Sequence, residues 1–202
     1  MEKIKLTKNE LKKQKDALKR YNQYLPTLLL KKQQLQAEII KIIHLAGQVR
    51  AEKTELETKL SAWIDVFSEN AGIEELLSVK SVITRTGNIA GIDVPTFAGM
   101  EFEVLDYDFY GTPLWVDTGI VVLKQRMVLS VKLEILDKQL ALVQDELRIT
   151  TQRVNLFEKV KIPQTKDHIK KIGIYLGDVQ TAAVAKGKIA KSKIQKKSAY
   201  PV

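Results

Sequence analysis

The sequence predicts an all-α dominated fold: a long antiparallel two-helix coiled coil with a small central helix and a β-hairpin inserted between the two long helices. Two tracts of apolar residues at heptad spacing indicate the helices. The segment between them is rich in β-branched residues, glycine and proline, which favours strands and turns. We therefore divide the chain into an N-terminal coiled-coil helix (1–69), a central region (70–117) and a C-terminal coiled-coil helix (118–202), together one structural unit.

The first tract advances in alternating steps of three and four residues. Fourteen of its seventeen positions are apolar or aromatic, and the repeat has no slip in register. An isolated surface helix drifts out of a repeat of about 3.5 residues within a few turns, so a sustained repeat indicates a partner helix. The positions are Leu11, Gln14, Leu18, Tyr21, Leu25, Leu28, Lys32, Leu35, Ile39, Ile42, Ala46, Val49, Lys53, Leu56, Leu60, Trp63 and Phe67.

The start of the first helix is predicted by a capping box at residues 7–10. In such a box the Thr7 hydroxyl and the Glu10 carboxylate each accept a hydrogen bond from a free backbone N–H. Pro26 lies inside the tract and removes one helical hydrogen bond. Because the heptad phase runs through Pro26, we expect a kink and not a break.

The second tract fits nine of eleven positions before Pro163. The apolar pattern then resumes, shifted by one residue, and fades towards the lysine-rich end. We expect a kink or a loosened turn at Pro163, with helix continuing to about Lys196. The positions are Val122, Arg126, Leu129, Leu133, Leu136, Leu140, Val143, Leu147, Thr150, Val154 and Phe157, then Ile162, Thr165, Ile169, Ile172, Leu176, Val179 and Ala183.

Folding the second tract back on the first predicts a register. Phe67 and Val122 flank the connection, so the numbers of facing residues should add up to roughly 189. Pro26 would then lie opposite Pro163. Both helices are therefore predicted to bend at one level.

Charge is distributed unevenly along the chain. Residues 1–32 contain ten Lys or Arg and three acids, and residues 159–202 contain eleven and two. Since the whole chain carries +9, residues 33–158 carry −7. An antiparallel hairpin brings its ends together, which predicts a basic tip and an acidic body. The predicted tip residues are Lys8, Lys12, Lys13, Lys186, Lys188 and Lys191.

The central region predicts a short helix around Ile73–Ser78 and then a small β-hairpin. Residues 81–86 and 102–105 are the strand candidates. Trp115 is expected to cover the base of the hairpin, with an exposed partner contact as the alternative. The turn signals are Gly87, Asn88, Gly91, Pro95 and Gly99.

Enzyme chemistry has almost no support in the sequence. There is no cysteine, and the phosphate-binding patterns GxxxxGK[ST] and GxGxxG are absent. His44 and His168 lie far apart, are expected at the surface, and give no metal-site spacing. We therefore predict no catalytic, cofactor-binding or metal-binding residues. No apolar run approaches the ~20 residues that span a bilayer, so a cytoplasmic protein is expected.

Residues 153–163, RVNLFEKVKIP, resemble the R-V-N-x-x-E-x-x-x-I-P signature of the D subunit of V/A-type rotary ATPases and ATP synthases. The pre-helix segment Thr112-Pro113-Leu114 and the stretch Leu25-Pro26-Thr27-Leu28 are similar to that family, notably its bacterial members. The resemblance covers nearly the whole chain. It implies a role in contact with other subunits, or in helix register, for Arg153, Val154, Asn155, Glu158, Ile162 and Pro163. The alternative is that Arg153, Asn155 and Glu158 are simply solvated helix positions.

The resemblance implies a non-catalytic rotor shaft in the central stalk of an ion-translocating complex. Both termini would enter a head of alternating A and B subunits. The central part would bind the small F subunit, and above the membrane ring it would dock on the C/d subunit. The basic tip would follow acidic surfaces inside the head. The protein would sit at the cytoplasmic face, touching the membrane only through the complex.

A basic coiled coil that binds nucleic acid or serves as a scaffold is the main alternative. A pI of about 9.5 and lysine-rich ends favour phosphate. Against it, only 6% of residues are aromatic and no nucleic-acid-binding motif is present, so we expect no nucleic-acid partner. A membrane-surface coiled coil is a third alternative, but the C-terminal helix lacks a bulky aromatic apolar face.

Overall fold

The structure is a computed structural model that describes residues 4–61, 76–107, 113 and 115–198. Helix α1 spans Lys8–Ser61, and strands β1 and β2 span Leu77–Ile89 and Ile92–Val104. Helix α2 spans Val116–Asn155, a π-helical turn spans Leu156–Lys161, and helix α3 spans Ile162–Ser198. Long helices joined through a two-stranded antiparallel hairpin confirm the predicted fold class.

The chain forms two compact units. The terminal unit comprises residues 1–30 and 150–202, and the central unit comprises residues 31–149. The predicted three-segment division remains a prediction, and its boundary at 69/70 lies outside the described residues.

Each unit contains an antiparallel pairing of helices. In the central unit the Lys31 ammonium lies 2.7 Å from the Glu146 carboxylate, and Arg126 Nε lies 3.2 Å from Glu57 Oε1. In the terminal unit the rings of Tyr21 and Phe157 lie 5.3 Å apart.

The predicted helix register was wrong. The numbers of facing residues add up to about 180 and not to 189. The physical reason is that α2 begins at Val116, six residues before the first predicted heptad position. Its first turns are fixed by a buried cluster of Val116, Ile120 and Leu77. Pro26 therefore lies opposite residues near 152, and not opposite Pro163.

The predicted seam coincides with the buried side of the helices. All fifteen described positions from Leu11 to Leu60 are buried or half-buried, while Trp63 and Phe67 lie outside the described residues. Among the eleven predicted seam positions from Val122 to Phe157, only Arg126 is exposed, and its guanidinium reaches Glu57. Ile162 to Leu176 continue this side in the terminal unit. Apart from Arg126, the predicted seam therefore matches the interior as far as Leu176, whereas its last two positions, Val179 and Ala183, are exposed.

Helix α1 begins where the sequence predicts, but with half of the capping box. The Glu10 N–H donates to the Thr7 hydroxyl at 3.3 Å. The Glu10 carboxylate accepts from Gln14 Nε2 at 2.9 Å, so the reciprocal bond of the box is replaced by one along the helix. Helix α1 continues through Pro26 without a break, as predicted.

The hairpin is longer than the sequence predicts. Of the short helix expected around Ile73–Ser78, residues 73–75 lie outside the described residues, and Leu77 and Ser78 belong to β1. Leu77 pairs with Val104 and is buried, so the strand begins at the cluster that starts α2.

Among the predicted turn residues, Gly91 forms the turn. Ala90 and Gly91 have φ values of 52° and 83°, the left-handed conformation of a tight hairpin turn. Gly87, Asn88, Pro95 and Gly99 lie inside the strands. Proline is tolerated because both strands of a two-stranded ribbon are edges. Gly87 is tightly packed, since an added Cβ would lie 2.8 Å from Thr96 Cγ2 and one of the two groups would have to shift.

The hairpin packs against the helices of the central unit. Val94 is buried with Leu35, Ile42 and Val143 in one core. Gln139 Nε2, itself buried, donates to the Pro95 carbonyl at 2.5 Å. Because a lone hairpin is marginal in water, these contacts are what hold it.

At the hairpin base, Trp115 packs beside Leu77, Val116 and Ile120, as the sequence predicts. The ammonium groups of Lys124 and Lys132 lie 5.8 and 5.6 Å from the rings of Phe102 and Phe97. Contacts between α2 and β2 therefore extend along the strand and beyond the apolar core.

Glycines 47 and 91 allow a matched test of the turn. Gly91→Ala should destabilise the chain by about 1 kcal/mol, because L residues resist a positive φ. Gly47→Ala should stabilise it by about 0.5–1 kcal/mol, because Gly47 lies within α1 with open space around it. Urea unfolding of both variants measures the difference. Equal effects in the two variants would contradict the assignment of the turn.

Candidate functional site

The signature segment crosses from α2 through the π-helical turn into α3. Val154 is buried and Ile162 is half-buried, so both belong to the packed side of the terminal unit. Arg153, Asn155 and Glu158 are exposed, as is Pro163. The structure therefore divides the signature into an inward pair that serves helix packing and an outward set that is available to another molecule.

The outward side of this segment has a mixed character. Leu156 and Val160 are 43% and 38% exposed, although both are large apolar side chains. Within the described part of the chain, neither Arg153 nor Glu158 makes a side-chain hydrogen bond or an ion pair, and Asn155 makes no capping bond. An exposed surface of this kind, apolar with uncommitted polar groups beside it, is typical of a protein contact.

Pro163 has the local effect that the sequence predicts. The turn before it is π-helical, and the Ile162 N–H donates to the carbonyl of Phe157, five residues earlier. The Thr165 hydroxyl donates to the Lys161 carbonyl at 2.6 Å. The loosened turn is thus confirmed, and helix continues beyond it to Ser198.

The six predicted tip lysines are exposed, but they lie at different levels of the terminal unit. With Tyr21 facing Phe157, Lys8 faces a residue near 170. Lys186 is about sixteen residues further along α3, or roughly 24 Å at about 1.5 Å per residue. The structure therefore does not gather Lys8, Lys12 and Lys13 with Lys186, Lys188 and Lys191 into one cluster.

The end of α3 has no packed side among the described residues. Every residue from 177 to 196 is exposed. Val184, Ile189 and Ile194 are 56–69% exposed, and a shallow groove runs from Gly177 to Lys188. The heptad pattern predicts residues 179 and 183 as a continuing seam, and therefore does not predict this exposed end. The observed helix register explains the exposure, because α1 begins at Lys8 and does not extend far enough to face these residues.

Three titratable groups among the described residues have shifted pKa values, and each shift has a neighbouring side chain as its cause. Hydrogen bonds from Lys59 and Lys138 lower the pKa values of the exposed carboxyls of Glu55 and Glu134. The hydrogen bond to Asp117 raises the pKa of Tyr107. These pairs join neighbouring helix turns or tie the hairpin base to α2, which is a structural role.

The histidines and acids show no metal-binding arrangement in the described residues. His44 is exposed, as predicted, whereas His168 is half-buried in the terminal unit. No group of three or more His, Cys, Asp or Glu is placed to hold a metal ion across those parts of the chain. In the same ranges no helix has the length and apolar character needed to cross a bilayer.

Comparison with known proteins adds the family. A family model described as the D subunit of ATP synthase matches residues 10–192. The D subunit of the V-type ATP synthase of Borreliella burgdorferi is 54% identical over 198 residues, which cover 98% of each chain. Its namesake from Chlamydia trachomatis is 37% identical over 195 residues, covering 95% of this chain and 96% of that one.

The protein of the same name from Chlamydia pneumoniae is 35% identical over 199 residues, or 97% of this chain and 95% of its own. These matches confirm the resemblance carried by the signature segment. They extend over the helices, the hairpin and the exposed end of α3. The chain therefore belongs to the family of ATP synthase D subunits.

Proposed function

We propose that the chain is the central-stalk rotor shaft of a V/A-type proton- or sodium-translocating ATPase or ATP synthase. It transmits torque between a catalytic head of A and B subunits and the membrane ring. The observation that carries the proposal is the uninterrupted inward seam of α1, a helix of 54 residues with fifteen described seam positions packed. A shaft has to resist twist, and a helix supported along its length does so better than a single one.

The end of α3 supports insertion into the head. Its exposed apolar side chains, Val184, Ile189 and Ile194, would be costly to leave in water over such a length. A ring of subunits around this helix would cover them. Lysines at 186, 188 and 191 add long, flexible cations that make loose contacts, which suits an axle that has to leave each position it occupies.

The F and C/d subunits are the further partners that we propose. Helix α1 has outward apolar side chains in the central unit, where Ile40, Ile43 and Leu45 are 49–69% exposed. The outward signature residues around Arg153 and Glu158 offer a second surface in the terminal unit. Both surfaces support contact with protein and not with a small ligand.

In this role the chain contributes no catalytic residue and holds no cofactor. It would be peripheral at the cytoplasmic face, attached to the membrane only through its complex. The nucleic-acid alternative has no observation in its favour beyond the net charge. The basic residues fit an acidic lining of the head equally well.

Co-purification from native membranes tests the proposal. A tagged chain should recover the A and B subunits together with ATPase activity, and a smaller protein should accompany them. The matched control is a tagged chain with Val154→Asp and Ile172→Asp, which places charges at two buried positions of the terminal unit and should disrupt its pairing. Recovery of nucleic acid alone with the unaltered chain would reject the proposal.

A further inference from the structure

The inward positions of the terminal unit change phase at one place. They advance by four and three residues through Thr150, Val154 and Phe157. The next inward residue is Ile162, five residues later, and the alternation of three and four then resumes at Thr165. In a regular helix, one additional residue would turn everything after it by about 100° and carry α3 off its packed side.

The π-helical turn absorbs that residue. The hydrogen bond from the Ile162 N–H to the Phe157 carbonyl closes a loop one residue wider than in an α-helix. Phe157 is the half-buried residue of the turn and the other five are exposed, so the additional residue is placed outside the packed side. The helices stay paired on both sides of the insertion, as the burial of Val154 before it and Thr165 after it shows.

The facing part of α1 is also irregular. Pro26 has no N–H to give to the carbonyl of Asn22. The contact of Tyr21 with Phe157 places Asn22 level with the start of the π-helical turn. The Thr27 hydroxyl donates to the Tyr24 carbonyl at 2.8 Å, a side-chain bond in the same stretch. At this level, therefore, both helices depart from the regular hydrogen-bond ladder.

We propose that Leu156–Lys161 is a one-residue phase insertion that, together with the Pro26 turn, forms a torsionally soft joint within the terminal unit. Regular α-helix above and below it is stiff, so twist applied along the pair is taken up here. The joint is a property of this chain alone. It stands whether or not the partners proposed above are correct, and its test uses the isolated full-length protein.

Removing one residue from the turn tests the phase insertion. Deleting Lys159, which is exposed, together with Pro163→Ala gives a sequence whose inward positions alternate by three and four throughout. This variant should fold as continuous α-helix with a Tm at or above that of the unaltered chain. The control is deletion of Ala141, also exposed, which lies in regular α2 and turns Val143 and Leu147 off the packed side. It should lose cooperative unfolding.

Amide hydrogen exchange tests the softness. Exchange at residues 160–162, 164 and 165 of the unaltered chain should be at least about tenfold faster than at the corresponding amides of the variant lacking Lys159. If that variant unfolds like the Ala141 deletion, the phase insertion is wrong. If it folds and exchanges at an unchanged rate, the turn is not a soft joint.

Discussion

Removing residues 178–202 is expected to leave the isolated chain folded and to prevent productive assembly with the head. No described residue from 177 to 196 is buried, so within the residues whose burial is described the truncation deletes helix and no packed core. The Tm of the isolated chain should change by no more than about 3 °C. ATP hydrolysis coupled to ion transport in the reconstituted complex should fall at least about tenfold, as for a loss of about 1.4 kcal/mol in binding.

Circular dichroism of the truncated chain and coupled ATPase activity in vesicles measure these two effects. A matched variant keeps the helix and changes Lys186, Lys188 and Lys191 to Gln. It separates the contribution of charge from that of the apolar side chains, and its loss should be smaller and more sensitive to salt. Normal coupling in the truncated complex would contradict the proposed insertion of the end of α3 into the head. A collapse of the Tm would instead show that the end of α3 is packed in the folded chain.

The sequence predicts the interior of this fold well because heptad periodicity is a local property. Whether Leu35 or Ile172 faces inward follows from its spacing to its neighbours. The shift of one residue after Pro163 was visible in the same way. It indicated a loosened turn at the position where the structure has its π-helical turn.

The register could not be predicted because it depends on tertiary contacts. In the central unit Leu35 and Ile42 of α1 pack with Val143 of α2, and these residues are separated in the chain by the whole hairpin. Pairing between distant residues likewise makes Gly87 and Pro95 strand residues, since each has a specific neighbour across the ribbon. Two features depend on this register: how far the basic residues of α1 lie from those of α3, and the exposure of the end of α3. Neither follows from the heptad pattern alone.

Leu35→Ala is expected to be the most destabilising single substitution in the central unit. Leu35 is 0% exposed and packs with Ile42, Val94 and Val143, so its side chain contacts both long helices and the hairpin. Truncation leaves a cavity that three elements would have to move together to close. The free energy of unfolding should fall by about 3–4 kcal/mol. The Tm should fall by about 10 °C for a chain of this size.

Ile40→Ala is the matched control, because Ile40 lies on the same helix and is 69% exposed. Its effect should stay within about 0.5 kcal/mol. Because Leu35 and Val94 share one core, the double variant with Val94→Ala should be less destabilised than the two single effects predict when added. Additive effects would mean that the hairpin does not pack on the helices at this point. The apolar residues that Val94 now covers would then be exposed, in addition to the outward apolar side chains of α1.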